Sequence, residues 1–228
     1  MKEKLKIDIV SDVVCPWCTI GYKRLEKAIS ELGIEDQIDI EWQPFELNPN
    51  MPAEGQNVIE HITEKYGSTL EQQKASQQHM IDAGDELGFK FDYFDEMRMV
   101  NTFDAHILLE YAKDFNKQTE LKMQLTKAFF SDRKDVSKKE VLKEALLEVG
   151  LNANEALAKL DNYEARLEVR NKQNYWKNLG VNSVPTIVFK RKSAVTGAQP
   201  VDTFKQVLSE LIAEQKSMYI LIKKKNIL

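Results

Sequence analysis

The chain has 228 residues, 43% hydrophobic and 30% charged, which is apolar enough for a buried core and too apolar for a disordered chain. A net charge of −4 excludes the concentrated basic surface needed to bind nucleic acid or anionic lipid. No run approaches the roughly 20 apolar residues of a membrane span. The start, Met1-Lys2-Glu3-Lys4-Leu5-Lys6, lacks the apolar stretch of a signal peptide, so a cytoplasmic location without a membrane partner is expected.

Residues 5 to 10, Leu-Lys-Ile-Asp-Ile-Val, alternate apolar and polar and predict a strand ended by Ser11 and Asp12. From Cys15 the spacing changes. Ile20, Leu25, Ala28, Ile29 and Leu32 recur at intervals of three to five, the stripe of an amphipathic helix closed by Gly33. Pro16 suits the first turn, where its missing N–H would have had no helical partner. Ile38 to Trp42 alternate again and predict a second strand stopped by Pro44. The opening therefore reads as a βαβ unit with parallel strands.

Beyond the turn-rich residues 48–52 the period stays helical, with helices expected near 57–66, 69–87, 102–115, 117–130, 138–149 and 153–179, the last bent near Leu160. Ser68 with Glu71, Ser137 with Glu140 and Asn152 with Glu155 have the spacing of helix-start caps. Val184 to Phe189 and Ala194 to Thr196 then read as a hairpin. Val201, Phe204, Val207, Leu208 and Leu211 form one face of a closing helix over 201–215. Met218 to Ile222 could dock as an extra segment, and Lys223 to Lys225 read as a solvated tail. The order is β, α, β, a helical block, then β, β, α. The two outer halves can share one sheet only if the block is spliced into a single α/β domain. That divides the chain into 1–50 with 180–216, an inserted helical domain 51–179, and a C-terminal tail 217–228.

Cys15 and Cys18 are the only cysteines, and they fall where the strand pattern gives way to the helical one. In a reducing compartment such a pair is catalytic or metal-binding rather than structural. Zinc needs four ligands, and His61, His79 and His106 are widely spaced, so no metal is expected. The redox reading has specific physics. A helix start offers free N–H groups and a partial positive charge that favour a thiolate at Cys15, expected to be exposed and to act as nucleophile. Cys18, one turn deeper and within disulfide reach, would resolve the mixed disulfide. Pro16 fixes the turn and Trp17 offers an apolar face beside the sulfur. Val184-Pro185 either begins an edge strand or, as we favour, is cis and turns the Val184 backbone towards the dithiol to pair with an extended substrate. Asp12 reads equally as a strand-ending turn residue or as a proton relay for Cys18, His106 as a core or surface histidine ahead of one facing the dithiol, and Phe129-Phe130 as core.

At these residues the chain resembles the DsbA-like thioredoxin-fold oxidoreductases, and within them the FrnE-like branch. The resemblance rests on Cys15-Pro16-Trp17-Cys18 after a strand and Val184-Pro185-Thr186 before another. Trp42-Gln43-Pro44-Phe45, Asn101-Thr102-Phe103-Asp104-Ala105-His106 and Thr196-Gly197-Ala198-Gln199-Pro200 extend it along the chain. It implies a thioredoxin-like fold with a large all-helical insertion between the βαβ and ββα halves. It also implies Cys15 as nucleophile, Cys18 as resolving thiol and Pro185 as the cis-proline, with Pro16, Trp17 and Val184 beside the substrate. No cofactor is implied beyond the redox dithiol. Protein thiols, protein disulfides or glutathione are the implied partners, and the chain would be a monomer or homodimer. Trp17 stands where the periplasmic members have a histidine, which leaves oxidase, reductase and isomerase directions open. Two alternatives stand beside this. One is a glutathione-dependent transferase or isomerase of the kappa or 2-hydroxychromene-2-carboxylate type, whose members generally have serine in place of Cys15. The other is a peptide-binding chaperone in which the dithiol is incidental.

Overall fold

Two strands and a helix open the chain, β1 (Leu5–Ser11), α1 (Pro16–Leu32) and β2 (Ile38–Pro44). Two strands and a helix close it, β5 (Thr186–Phe189), β6 (Ser193–Thr196) and α9 (Val201–Lys225). The computed structural model describes residues 4–225, with side chains to Gln215 and at Ser217. β1 is the centre of a four-stranded sheet ordered β2-β1-β5-β6. It pairs in parallel with β2, Ile7 opposite Ile40, and antiparallel with β5, Ile9 opposite Ile187. The alternation along β1 decides its two faces. Leu5, Ile7 and Ile9 are fully buried with Tyr22 and Leu25 of α1 and Phe204 and Leu208 of α9.

The other face of β1 carries Asp8 and Val10. Val10 packs with Val188 and with Trp176 of α8 (Tyr163–Asn178). Burial pushes the Asp8 carboxyl up, and it is satisfied by Gln43 Nε2 at 2.7 Å, while Gln43 Oε1 accepts the Trp176 Nε1–H at 3.1 Å. A line of three hydrogen-bonded side chains thus pins α8 to the sheet, because each buried polar group needs a partner.

The insertion comprises α2 (Val58–Tyr66), α3 (Leu70–Glu86), α4 (Phe103–Lys113), α5 (Gln118–Phe130), α6 (Lys139–Glu148), α7 (Ala153–Ala158) and α8, around a core of its own that includes Leu108, Leu121, Leu125 and Leu142. It is not wholly helical. Gln56–Asn57 (β3) and Arg98–Met99 (β4) pair as a short antiparallel ribbon, too brief to show a period in the sequence. The expected helix 153–179 is two helices joined by a 3-10 turn at Lys159–Asp161, with Asn162 capping the second through Ala165 N–H at 2.8 Å. The cap at Asn152 forms as expected, with Glu155 N–H at 3.3 Å. The first cap moves one residue on, to Thr69 with Gln72, whose side chains satisfy each other's backbone N–H groups. Ser137 instead donates to Asp135 at 2.6 Å. The closing helix runs ten residues past its expected end, so the segment taken as a separate tail continues α9 to Lys225. Residues 226–228 lie outside the described residues, as do the side chains of Met218 to Lys225.

The insertion is fastened to the open edge of the sheet at β2. Gln118 of α5 accepts the Trp42 N–H at 2.9 Å and donates to the Trp42 carbonyl at 3.0 Å, pairing an edge residue that would otherwise be unsatisfied. Beside it Glu41 takes Lys6 at 2.7 Å and Lys113 of α4 at 3.0 Å. Burial raises that carboxyl, and the two ammonium groups outweigh it and hold it at about 2. A depressed folded value contributes stability above the unfolded value of about 4.3 and loses it as pH falls towards 2. In Glu41→Gln the loss of thermal stability over that acid window is therefore expected to be shallower than in the parent, as a melting series across pH would show. No helix among the described residues is long and apolar enough to cross a membrane.

Candidate active site

The dithiol lies where β1 runs out and α1 begins. Cys15 is the N-cap of α1, its backbone extended (φ −99°, ψ 108°), and its Sγ accepts the Cys18 N–H at 3.3 Å. Pro16 occupies the first helical position, and the buried Val13 and Val14 anchor the preceding turn in the core of the insertion. The sulfur thus does the work an N-cap oxygen does elsewhere, while the helix start presents its partial positive charge to it. No disulfide joins the two cysteines, and both are buried.

The 180s loop closes over the dithiol from the other half of the fold. The Val184–Pro185 peptide is cis, and the Cys15 Sγ–H reaches the Val184 carbonyl at 4.0 Å. Gly21 allows this approach, since a Cβ there would lie 3.1 Å from Pro185 Cγ and 3.4 Å from Ala198 Cα. Arg24 of α1 donates to the Ala198 carbonyl at 2.6 Å and Gly197 N–H to the Pro185 carbonyl at 2.8 Å, which ties helix, hairpin and loop together. Cys15, Cys18, Pro16, Trp17, Val184 and Pro185 are therefore one neighbourhood, although 166 residues separate Cys18 from Val184.

One expectation is corrected. Cys15 is not exposed: only 4% of its surface is accessible, against 1% for Cys18. The loop at Val184 and the turn of α1 cover it, which sequence position at a helix start could not reveal. Pro16 and Trp17 are the half-buried residues of the motif, and the Trp17 ring lies 5.5 Å from His79 of α3. Burial first, then the hydrogen bond and charge of Cys15, push the Cys18 thiol well up.

Beneath the dithiol Asp12 is fully buried and fully used. Its Oδ1 accepts Val13 N–H at 2.7 Å, its Oδ2 accepts Leu47 N–H at 2.8 Å, and His106 Nε2 lies 3.3 Å from Oδ1. That nitrogen also faces the Phe45 carbonyl at 3.0 Å, so it must carry the proton, since both its neighbours only accept. Burial pushes the Asp12 carboxyl up, but His106 and the Leu47 N–H outweigh it and hold it below the usual carboxylate range. With both oxygens already accepting from these donors and its carboxyl held low, Asp12 is poorly suited to relay a proton.

The insertion adds what the motif did not show. Val14, Pro16, Met80, Tyr93, Phe129 and Phe130 line an apolar cleft of about 120 Å³ beside the CPWC turn. Away from that cleft, Lys122 of α5 is 98% buried beside Ser11 and His106, and its Nζ sits 5.1 Å from the Trp42 ring. Its signal was present in the sequence: Gln118, Lys122, Leu125 and Phe129 share the buried stripe of α5. Among the described residues no group of three or more His, Cys, Asp or Glu side chains could hold a metal ion.

A mixed sheet ordered β2-β1-β5-β6, with a Cys-x-x-Cys at the start of the first helix facing an X-Pro loop before β5, defines a thioredoxin-fold protein. The chain belongs to the DSBA-like thioredoxin domain family, which matches residues 6–209. It is similar to a probable DsbA oxidoreductase, SCO1869, from Streptomyces coelicolor, at 32% identity over 92% of this chain and 91% of that one, with a TM-score of 0.86. The uncharacterized protein YwbO of Bacillus subtilis is 26% identical over 92% of this chain and 97% of its own. The cytosolic disulfide reductase DsbM of Pseudomonas aeruginosa, solved with GSH, shares the fold at 16% identity, covering 92% of this chain and all of that one, with a TM-score of 0.64.

Proposed function

We propose that the protein is a thiol–disulfide oxidoreductase in which Cys15 exchanges with a protein disulfide or with glutathione disulfide and Cys18 completes the exchange. The observation that carries this is the placement of Cys15 Sγ between the Cys18 N–H and the Val184 carbonyl, with Cys18 one turn beneath it. The Cys15 thiolate attacks one substrate sulfur, the substrate S–S bond breaks and the first thiol leaves. Cys18 then attacks Cys15 Sγ, the mixed disulfide breaks, and the second thiol leaves with the proton from Cys18. Two electrons pass from the dithiol to the substrate, and the reverse sequence oxidises a dithiol substrate.

Pro16, Trp17, Val184 and Pro185 would hold the substrate chain, and the cleft lined by Met80 and Tyr93 suits an apolar side chain next to its disulfide. A glutathione-sized substrate and a cytoplasmic location are supported by the fold shared with the cytosolic reductase DsbM, solved with GSH. The transferase or isomerase alternative has no use for Cys18, and the chaperone alternative none for either thiol.

Cys18→Ser removes the resolving thiol and keeps the nucleophile. Incubated with glutathione disulfide, this variant is expected to accumulate a mixed disulfide at Cys15, visible by intact mass and reversed by dithiothreitol, while the parent chain does not. Absence of the adduct, or its persistence when Cys15 is also replaced, would sink the assignment.

A further inference from the structure

Pro16, the residue next to the nucleophile, forms one wall of the cleft beside the dithiol, and Met80, Met97 and Met99 form much of the rest with Val14 and Phe130. Flexible thioether side chains adapt to what enters. One residue breaks this apolar lining. Gln73 of α3 also walls the cleft, is buried with 5% of its surface accessible, and has only half of its amide in use. Its Nε2 donates to Thr63 Oγ1 at 2.8 Å and faces the carbonyls of Ser68 at 3.2 Å and Ile59 at 3.3 Å, all on α2 or just past its end. These acceptors fix which corner of the amide is nitrogen, because a reversed amide would set its oxygen against two carbonyls. Oε1 is the remaining corner, buried and without a partner among the described residues. The Tyr93 hydroxyl on the same wall does not supply one, since it donates to Met80 Sδ at 3.4 Å.

A single acceptor in an otherwise apolar wall is how a cleft selects what it takes, and a buried carbonyl left unpaired is costly. Size narrows the occupant. The cleft holds about 120 Å³, and a cavity of about 150 Å³ takes one benzene ring, so a single ring enters and an indole does not. Phenylalanine would seal Oε1 away from any donor. Histidine would bury a second ring nitrogen among methionines and phenylalanines with nothing to bond. Tyrosine has an apolar ring and an O–H at its tip.

We propose that this cleft is a tyrosine subsite: a tyrosine beside the attacked cysteine of a protein substrate inserts its ring past Pro16, and Gln73 Oε1 accepts its hydroxyl. This rests on the oxidoreductase reading above and deepens it by naming the substrate class, since glutathione, built from glutamate, cysteine and glycine, has no ring to offer. A substrate without the hydroxyl strands the acceptor rather than merely forgoing a contact, which makes the discrimination steep for one group.

The test has one arm with turnover and one without. Disulfide peptides carrying tyrosine, phenylalanine or alanine on either side of the attacked cysteine are reduced by the parent chain. At one of the two positions kcat/KM is expected to be about tenfold higher for tyrosine than for phenylalanine, and Gln73→Met is expected to erase that ratio. Equal rates for tyrosine and phenylalanine at both positions in the parent overturn the proposal. If Gln73→Met does not fold, Ile62→Trp, which fills the cleft from a half-buried position on α2, takes its place, and a tyrosine preference that survives it overturns the proposal. In the second arm p-cresol and toluene are titrated into the Cys15→Ser/Cys18→Ser protein with isotope-labelled methionine methyls. Shifts at Met80, Met97 and Met99, with p-cresol bound more tightly than toluene, support the subsite. Toluene bound as tightly as p-cresol, or no shift with either, overturns it. A protein that binds p-cresol in this way but exchanges no disulfide would refute the oxidoreductase reading alone, and one that exchanges disulfides without preferring tyrosine would refute the subsite alone.

Discussion

Replacing Cys15 by serine is expected to lower insulin-disulfide reduction by about 10³-fold or more, to the level of the uncatalysed thiol reaction. The reason is chemical. A hydroxyl is not ionised at neutral pH and forms no disulfide, and Cys18 lies a turn deeper than the helix start with its thiol pushed well up, so it is not placed to take over attack on an outside substrate. The same substitution is nearly silent structurally, because a serine oxygen at the N-cap can accept the Cys18 N–H now taken by Cys15 Sγ. A change of no more than about 1 kcal/mol in stability is expected. Activity and fold are thereby separated in one variant, measured by insulin turbidity and by urea unfolding. Exchange that persisted in a folded Cys15→Ser protein would refute the assignment. Glutathione conjugation that survived the change would favour the transferase alternative, whose members resemble that variant at this position.

Asp12→Ala is expected to have the largest effect on stability of any single change beneath the site, about 3–5 kcal/mol. It would strand three buried donors at once: the N–H groups of Val13 and Leu47 and the Nε2–H of His106. It would also free the turn that holds Cys15 and the strand exit at Leu47, so stability and exchange rate should fall together. The pH dependence has a definite sign. Burial raises the Asp12 carboxyl, but the His106 and Leu47 bonds outweigh it and the folded value is lowered. Its contribution is therefore complete above the unfolded value of about 3.9 and is lost as pH falls through the folded one. Urea unfolding of the parent should lose stability on that acid limb, and Asp12→Ala, already without the contribution, should run flatter there. Equal acid slopes in the two proteins would show that Asp12 is not held as an anion in the fold.

The elements nearest the dithiol were legible because each carried a local signal. β1 alternates, α1 has a proline at its first turn and a glycine after its last, and the hairpin before α9 is rich in β-branched residues. Where local signals were weak or duplicated, the reading slipped. The cap settled on Thr69 rather than Ser68, a choice between neighbouring hydroxyl residues that only the reciprocal bond with Gln72 decides. The two-residue strands β3 and β4 have no period to read. The long α9 was cut short because its last turns follow a run of charged and polar residues, and backbone continuity rather than pattern carries them on.

Residue order alone determined that two thiols stand a helical turn apart at the end of a strand, with a proline between them and a second X-Pro before the last hairpin. Spacing along a helix is set by bond geometry, so those relations hold however the rest packs. Only the tertiary structure decided that Cys15 is covered, that Asp12 is consumed by three donors, and that Lys122 is buried over Trp42. Burial and electrostatic coupling depend on which distant segments meet. The contact between α5 of the insertion and α1 joins residues a hundred positions apart, and no local pattern records it. The dithiol itself was written in a four-residue motif. Its electrostatic surroundings were assembled from β1, α1, α4, α5 and the loop at Val184.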